Sequence, residues 1–348
     1  MNRSLIGSLY TISTYYETLQ WQWWISCILH VIQAGYYPVL ALVGVPSNLL
    51  TIVILSRNNW GLSKSVTCYL LAMAVADLLV IVFDLILRHI PIVYKEHFRF
   101  LYYVPTCNIH AILLYASTDC SVWFTVTFTF DRFVAISSQT LKSKYCTRKT
   151  AAVVLGTVSL LSFSKNITQY FMLTGRYILV NAPWFCGVSF AVQYSLVWMT
   201  VDILNYVLTP CAPFVLILLL NVMTVRQILM TSKVRKRLRA HKNVENAEDS
   251  ELDNRRKSII LLLLISVNFI LLWAVLITFS MWRRVCFLLN LIVTHEYFIQ
   301  DLGFMLQLLS CCTNTYIYAV TQTKFREALR KLLSHLFFPF IKHIKSSE

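Results

Sequence analysis

The chain has 348 residues, of which 57% are hydrophobic and only 14% charged, against about 25% charged in an ordinary soluble domain. A soluble protein of this composition could not cover its surface with polar groups, and with 8 Gly, 8 Pro and 10 Cys it is not disordered, collagen-like or a disulfide scaffold. Its net charge of +15 leaves nucleic acid, anionic lipid and membrane topology open as explanations.

A bilayer core about 30 Å thick needs roughly 20 mostly apolar residues for each helical crossing. Thr18 to Ser56 holds no Asp, Glu, Lys or Arg. Ser65 to Leu87 and Cys107 to Ile136 are apolar with one or two carboxylates inside. Thr150 to about Leu173 contains Lys165, and qualifies if that lysine lies at the outer boundary and snorkels. Ile203 to Val225, Ser258 to Trp282 and Leu302 to Thr323 are again free of charge. The expected fold is an all-α integral membrane bundle of seven transmembrane helices. It divides into an extracellular N-terminus (1–24), a seven-helix domain (25–323) and a tail (324–348). Met1 to Tyr16 has no continuous apolar core, so the first helix is expected to act as its own insertion signal.

With the N-terminus outside, 23 of the 31 Lys and Arg residues fall on the inner side, and the positive-inside rule chooses that orientation. The 8 remaining basic residues are matched by 8 acids, so the excess charge belongs to the inner face, and nucleic acid is not an expected partner. The longest polar connection, Thr231 to Lys257, reads as a solvated loop with helical extensions at both ends. Lys324 to Phe338 spaces Phe325, Leu329, Leu332, Leu333 and Leu336 among Arg326, Arg330 and Lys331. That is the pattern of a short amphipathic eighth helix lying on inner-leaflet lipid.

Asp131-Arg132-Phe133 ends the third span, 25 residues after Cys107, or roughly 37 Å of helix. Cys107 therefore belongs at the outer surface and Arg132 at the inner one. Cys186 lies in the next extracellular segment, where a disulfide to Cys107 would tie the loop to the helix end. The plainer alternative is two unpaired cysteines and a snorkelling arginine.

With its neighbours, this constellation resembles the rhodopsin-like (class A) G-protein-coupled receptors from about Tyr36 to Leu333. Gly44-Val-Pro-Ser-Asn48 is similar to the family's helix-one Asn motif, and Leu71-Ala-Met-Ala-Val-Ala-Asp77 to its buried-aspartate motif. Asp131-Arg132-Phe133 is close to Asp-Arg-Tyr. Pro213 stands where the fifth-helix proline is expected, and Phe269 and Trp273 are four apart, as in the sixth-helix switch. Asn314-Thr-Tyr-Ile-Tyr318 replaces Asn-Pro-x-x-Tyr, and Lys324-Phe325-Arg326 opens the last helix. Three departures stand out: Thr315 and Val275 replace prolines, and Asn221 replaces a tyrosine. Helices six and seven therefore lack the kinks that proline enforces. Ser121-Val-Trp123-Phe-Thr125-Val, Tyr69-Leu-Leu-Ala72 and the proline-free last motif resemble an orphan subfamily implicated in sensing aromatic amino acids. Val275 and Leu276 stand where that subfamily has Pro and Arg, so its ligand is not carried over.

The resemblance implies roles. Asp131, Arg132, Phe133, Asn221, Arg255, Phe269, Trp273, Asn314 and Tyr318 would form the switch and G-protein coupling set. Arg255, 18 residues before Trp273, stands where many members carry an acid that locks the arginine, so no lock is expected. Asp77, Ser121 and Asn314 resemble the pocket for an allosteric sodium ion. The other reading is a protonated Asp77 hydrogen-bonded to Asn48 and Asn314, and both stay open. Beyond that ion no cofactor is expected.

Leu114 stands where amine receptors have aspartate and Leu308 where opsins have the retinal-linking lysine, so neither ligand class is expected. Candidate pocket residues are Arg88, Tyr115, Thr118, Asn205, Tyr206, Trp273, Ile277 and Phe304, with Asp84, Asp119 and Asp301 as further charged options. Each aromatic can equally be packing. Asn2-Arg-Ser4 and Asn166-Ile-Thr168 are glycosylation sequons. Cys27 and Cys286 can be a second bridge or simply buried thiols. No Cys follows Cys312, so a palmitoyl anchor on the last helix is not expected. There is no metal-ligand spacing, phosphate loop or nucleophile motif to suggest an enzyme. The reading is a plasma-membrane receptor that binds an extracellular small-molecule or peptide ligand and activates a heterotrimeric G protein. A transporter or channel is the alternative, because intramembrane carboxylates often mark ion paths.

Overall fold

In a bilayer every backbone N–H and C=O must be satisfied within the segment or by a neighbouring one, so an apolar run of span length folds as helix. The computed structural model describes residues 3–57, 63–94, 106–174, 187–188, 195–239, 248–289, 297–332 and 334. Seven long helices run through them. The first is Arg3–Ser56. The second is Lys64–Val80, continued by wider π-type turns over Ile81–His89 and by Ile90–Val93. The third is Thr106–Ser137 and the fourth Arg148–Asn166. The fifth comprises Leu196–Tyr206, Val207–Cys211 and Ala212–Arg239. The sixth and seventh, Glu248–Leu288 and Tyr297–Thr321, run without a break, as the missing prolines imply. Between the third and fourth lies a short helix, Gln139–Tyr145, capped by the Ser138 hydroxyl. One small departure from an all-α fold is an antiparallel pair, Leu173–Thr174 with Gly187–Val188.

Among the described residues six helices are long and apolar enough to cross a membrane. The seventh is 25 residues long and carries more polar side chains. Gln307, Ser310, Asn314 and Thr315 are buried, so its polarity faces other helices. Lipid-facing surfaces are apolar instead: Val153, Leu160 and Leu161 on the fourth helix and Val215 and Leu219 on the fifth are exposed.

The third helix sits at the centre, against the second, fourth, fifth and sixth, while the seventh packs on the first, second and sixth. Towards Arg132 the core is Tyr69, Met73, Phe124, Phe128, Leu262 and Tyr318. Towards Cys107 it is Tyr37, Leu85, Met305 and Leu308. Residues 323–332 are helical, with Phe325 buried and Ala328, Leu329 and Leu332 against the same core. Arg326, Arg330 and Lys331 are exposed. The Phe325 ring meets Tyr318 edge-on with centroids 6.0 Å apart.

The fifth helix breaks at Thr209, whose φ of −149° and ψ of 114° are extended. Pro213, the position the sequence singles out, follows the break at the second residue of the renewed helix, where a missing N–H costs little. Two glycines mark the closest approaches. A Cβ at Gly303 would lie 2.9 Å from the Leu276 Cα, whereas one at Gly44 would meet side chains only, Cys312 Sγ at 2.5 Å and Ile81 Cδ1 at 2.9 Å. A backbone obstacle can yield only if the sixth and seventh helices part. Gly303→Ala should therefore lower the thermal unfolding midpoint of the purified protein by more than Gly44→Ala, at a cost of about 1–3 kcal/mol.

Candidate functional site

Polar side chains inside the bundle gather in three layers. At the Arg132 end, Asp131 accepts hydrogen bonds at both oxygens. Ser65 Oγ donates to Oδ1 at 2.9 Å and Arg132 Nε to Oδ2 at 3.0 Å, with Arg132 Nη2 on that same oxygen. Arg132 and Asp131 are both buried. Burial, with Asp131 beside it, pushes the Cys146 thiol up to about 11. It is thus a neutral donor, 3.4 Å from the Asp131 carbonyl oxygen. Phe133 is half-buried. Asn221 Nδ2 donates to the Ile217 carbonyl at 2.8 Å, while its Oδ1 and the Tyr318 hydroxyl are buried without partners. Arg255 lies on the sixth helix, and its side chain is outside the described residues.

At mid-depth, Ser121 Oγ donates to Asp77 Oδ1 at 2.5 Å and Asn314 Nδ2 to Oδ2 at 2.7 Å. One carboxylate thereby joins the second, third and seventh helices. Asn48 does not reach it, since its Nδ2 donates to the Gly44 and Cys311 carbonyls, both at 3.0 Å. Asp77 and Ser121 offer hard oxygens that fit a small cation, and Asn314 would join them through its carbonyl oxygen if its amide turned over. Phe269 and Trp273 stack at 5.3 Å, and Trp273 Nε1 donates to Ser310 Oγ at 3.1 Å. Thr315, in place of proline, donates to the Ser47 carbonyl at 3.2 Å and lies 2.9 Å from the Thr51 hydroxyl. That pins the seventh helix to the first.

The third layer, towards Cys107, holds two Arg–Asp pairs. Asp84 Oδ1 accepts from Arg88 Nη1 at 3.0 Å and stands 3.4 Å from His89 Nε2. The Arg88 guanidinium lies 4.7 Å from the Phe304 ring centre, so two of the candidate pocket residues meet. Arg284 Nη2 donates to Asp202 Oδ2 at 2.9 Å, and its guanidinium covers Tyr206 at 3.6 Å. Tyr115 is within electrostatic reach of both pairs. Asn205 Nδ2 is buried without an acceptor. Thr118 Oγ1 donates to the Leu114 carbonyl at 3.0 Å, and Trp273 and Ile277 are buried. His89, Asp202 and Arg284 are absent from the sequence-derived set, although a charge at the outer end of an apolar run is a readable signal.

Asp119 and Asn166 differ from expectation. Asp119 Oδ2 is 2.7 Å from Lys165 Nζ and accepts from Asn166 Nδ2 at 2.6 Å. Lys165 therefore pairs inside the bundle and does not snorkel, and Asp119 ties the third helix to the fourth. Asn166 has its amide engaged by Asp119 and Ser162 and 2% of its surface exposed, which leaves no room for a glycan in this packing. Asn2 lies outside the described residues. Cys107 is disulfide-bonded, and Cys186 lies outside the described residues. Cys27 and Cys286 are free thiols, which removes the second bridge.

An ion pair across two spans is costly to break on one side only. Asp119→Ala should lower thermal stability by about 3 kcal/mol by stranding Lys165. The double substitution Asp119→Leu with Lys165→Met should recover most of the loss, read as the unfolding midpoint in detergent. An additive double mutant would show that the pair is not coupled.

The order of these features along the chain is that of a known group of receptors. Residues 47–318 match the family described as 7 transmembrane receptor (rhodopsin family), and the chain belongs to it.

Proposed function

We propose that the protein is a plasma-membrane receptor, N-terminus outside, that binds an extracellular ligand among the residues of the Cys107 end and couples to a heterotrimeric G protein at the Arg132 end. The observation that carries this is the tethering of Arg132. Among the described residues its hydrogen bonds all go to Asp131, its own neighbour on the third helix. Outward movement of the sixth helix can expose the guanidinium without breaking an arginine pair between helices, and a ligand that binds the exposed form better shifts the population towards it. A transporter has less support. Asp77, Asp84 and Asp119, which would mark an ion path, are each bonded to protein partners.

A disulfide from Cys107 to Cys186 would hold the outer loop over the ligand site. The basic inner face and the helix at 323–332 would contact anionic lipid as well as the G protein. The ligand of the subfamily resembled is not carried over, because Leu276, where that subfamily has Arg, is buried with its backbone against Gly303. Asp77 and Ser121, with a turned Asn314, would hold a sodium ion. Bound there it would neutralise the carboxylate and favour the closed bundle.

Three measurements test this reading. In a Gα-dissociation assay in cells, Arg132→Ala should abolish ligand-independent signal, and an unchanged signal overturns the coupling. Arg255→Glu, by supplying the absent lock, should lower that basal signal severalfold if the like charge at 255 keeps the arginine free. Replacing choline by sodium should raise the unfolding midpoint of the purified receptor but not that of Asp77→Asn. Equal midpoints in the wild-type protein would remove sodium from the account.

A further inference from the structure

Where the fifth and sixth helices meet at the Cys107 end, Arg284 is held on three sides. Nη2 donates to Asp202 Oδ2 at 2.9 Å, Nη1 to the Ser280 carbonyl at 3.4 Å, and the guanidinium carbon lies 3.6 Å from the Tyr206 ring centre. Among the described residues the remaining nitrogen, Nε, is buried with no acceptor, and so is the amide nitrogen of Asn205, the residue before Tyr206. Two buried donors on facing helices are costly until an acceptor reaches them.

The geometry of the guanidinium narrows the class of acceptor. The Nε and Nη2 edge of a guanidinium is a fork of parallel donors that matches both oxygens of a carboxylate. Asp202 engages one tine of that fork through one oxygen. Its side chain is 51% exposed, so water can take it back at little cost. A quarter of the Arg284 side chain is also exposed, and Nε becomes reachable once the Asp202 carboxylate swings away from the edge it covers. Arg88 is a poorer anchor, because its partner Asp84 is buried at 1% exposure and releasing it would strand a charge. Arg283 is committed to Gln300 Oε1 at 2.6 Å.

We propose that Arg284, stacked on Tyr206, is the anchoring subsite for a carboxylate on the ligand, and that Asp202 is an internal stand-in which the ligand displaces. This rests on the reading that the Cys107 end takes the ligand. It commits that site to an acid: a small carboxylic acid, or a peptide bound through its free C-terminal carboxylate. Tyr206 supports the guanidinium from one face at 3.6 Å.

The test uses the purified full-length receptor with no G protein, following thermal stabilisation. One arm is a panel of aryl and alkyl carboxylic acids, each beside its primary amide. The other is a set of tetrapeptides, as free acids and as C-terminal amides. Acids in at least one arm should stabilise the receptor where their amides do not, and the arm that responds identifies the source of the carboxylate. Arg284→Gln should weaken that binding about tenfold to a hundredfold, Arg284→Lys should restore part of it, and Asp202→Asn should tighten it severalfold by removing the competitor. Tightening in Asp202→Asn is an effect that misfolding cannot mimic. Equal binding of acids and amides, acid binding indifferent to both substitutions, or no acid binding in either arm at millimolar concentration overturns the proposal. Binding is read without signalling, so a failure of Arg132-dependent coupling would leave this result intact, and the reverse.

Discussion

A bilayer cannot solvate a carboxylate, and the chain places four of them, Asp77, Asp84, Asp119 and Asp131, on its second and third helices. Each is buried, and each is bonded. Asp77 takes donors from the third and seventh helices, and Asp119 takes Lys165 and Asn166 from the fourth. Asp131 takes Ser65 from the second and Arg132 beside it, and Asp84 takes Arg88 one turn on. Apolar side chains gain little by leaving lipid for one another, so these polar ties and close packing must specify which helices touch. The central position of the third helix follows, since it supplies two of the four carboxylates and the Ser121 donor.

The seventh helix shows the same constraint from the other side. Its exposed positions, Leu302, Tyr316 and Val320, are apolar or amphipathic, while its inward face presents Gln307, Ser310, Thr313, Asn314 and Thr315. Each of those reaches a different neighbour. Gln307 reaches Asp84 on the second helix at 3.4 Å, and Ser310 and Thr313 bond Trp273 and Asn268 on the sixth. Thr315 bonds the first. Losing proline at 315 removes a kink, and threonine supplies a lateral bond in its place. The last helix runs unbroken and is attached on three sides.

Much of this is legible in the sequence, for reasons that differ by element. Span positions follow from charge-free runs, because twenty apolar residues in a row have few alternatives. The convergence of Ser121 and Asn314 on Asp77 is legible only through resemblance, since nothing in the spacing says which faces meet. Lys165 is misread when each span is considered alone. A lysine near a helix end is expected to snorkel, and only the approach of the third and fourth helices shows that Asp119 is the nearer and stronger partner. The burial of Asn166 is illegible for the same reason, because a three-residue motif carries no information about packing. The break at Thr209, one turn before Pro213, is likewise set by context: Pro210 and Pro213, three apart, can each end a helix, and with the break just before Pro210 the second falls at a tolerated position.

Mobility must then be found where polar ties are few. The first, second, third and seventh helices are cross-linked through Asp77, Asn48, Thr315 and Gln307. Between the fifth and sixth, the ties described are the exposed Arg284–Asp202 pair at one end and apolar contacts of Ile217 with Phe269 and Trp273 further in. The orphaned Asn221 oxygen and Tyr318 hydroxyl lie at the opposite end of this weakly tied region, nearer Arg132. Buried polar atoms without partners destabilise the arrangement that strands them, so any conformation that pairs them gains by the difference. A bundle tied by polar bonds along one wall and mainly by apolar contacts along the other would open most easily on the side of the fifth and sixth helices. That bias is local in origin, and it does not require the proline kinks that the chain lacks.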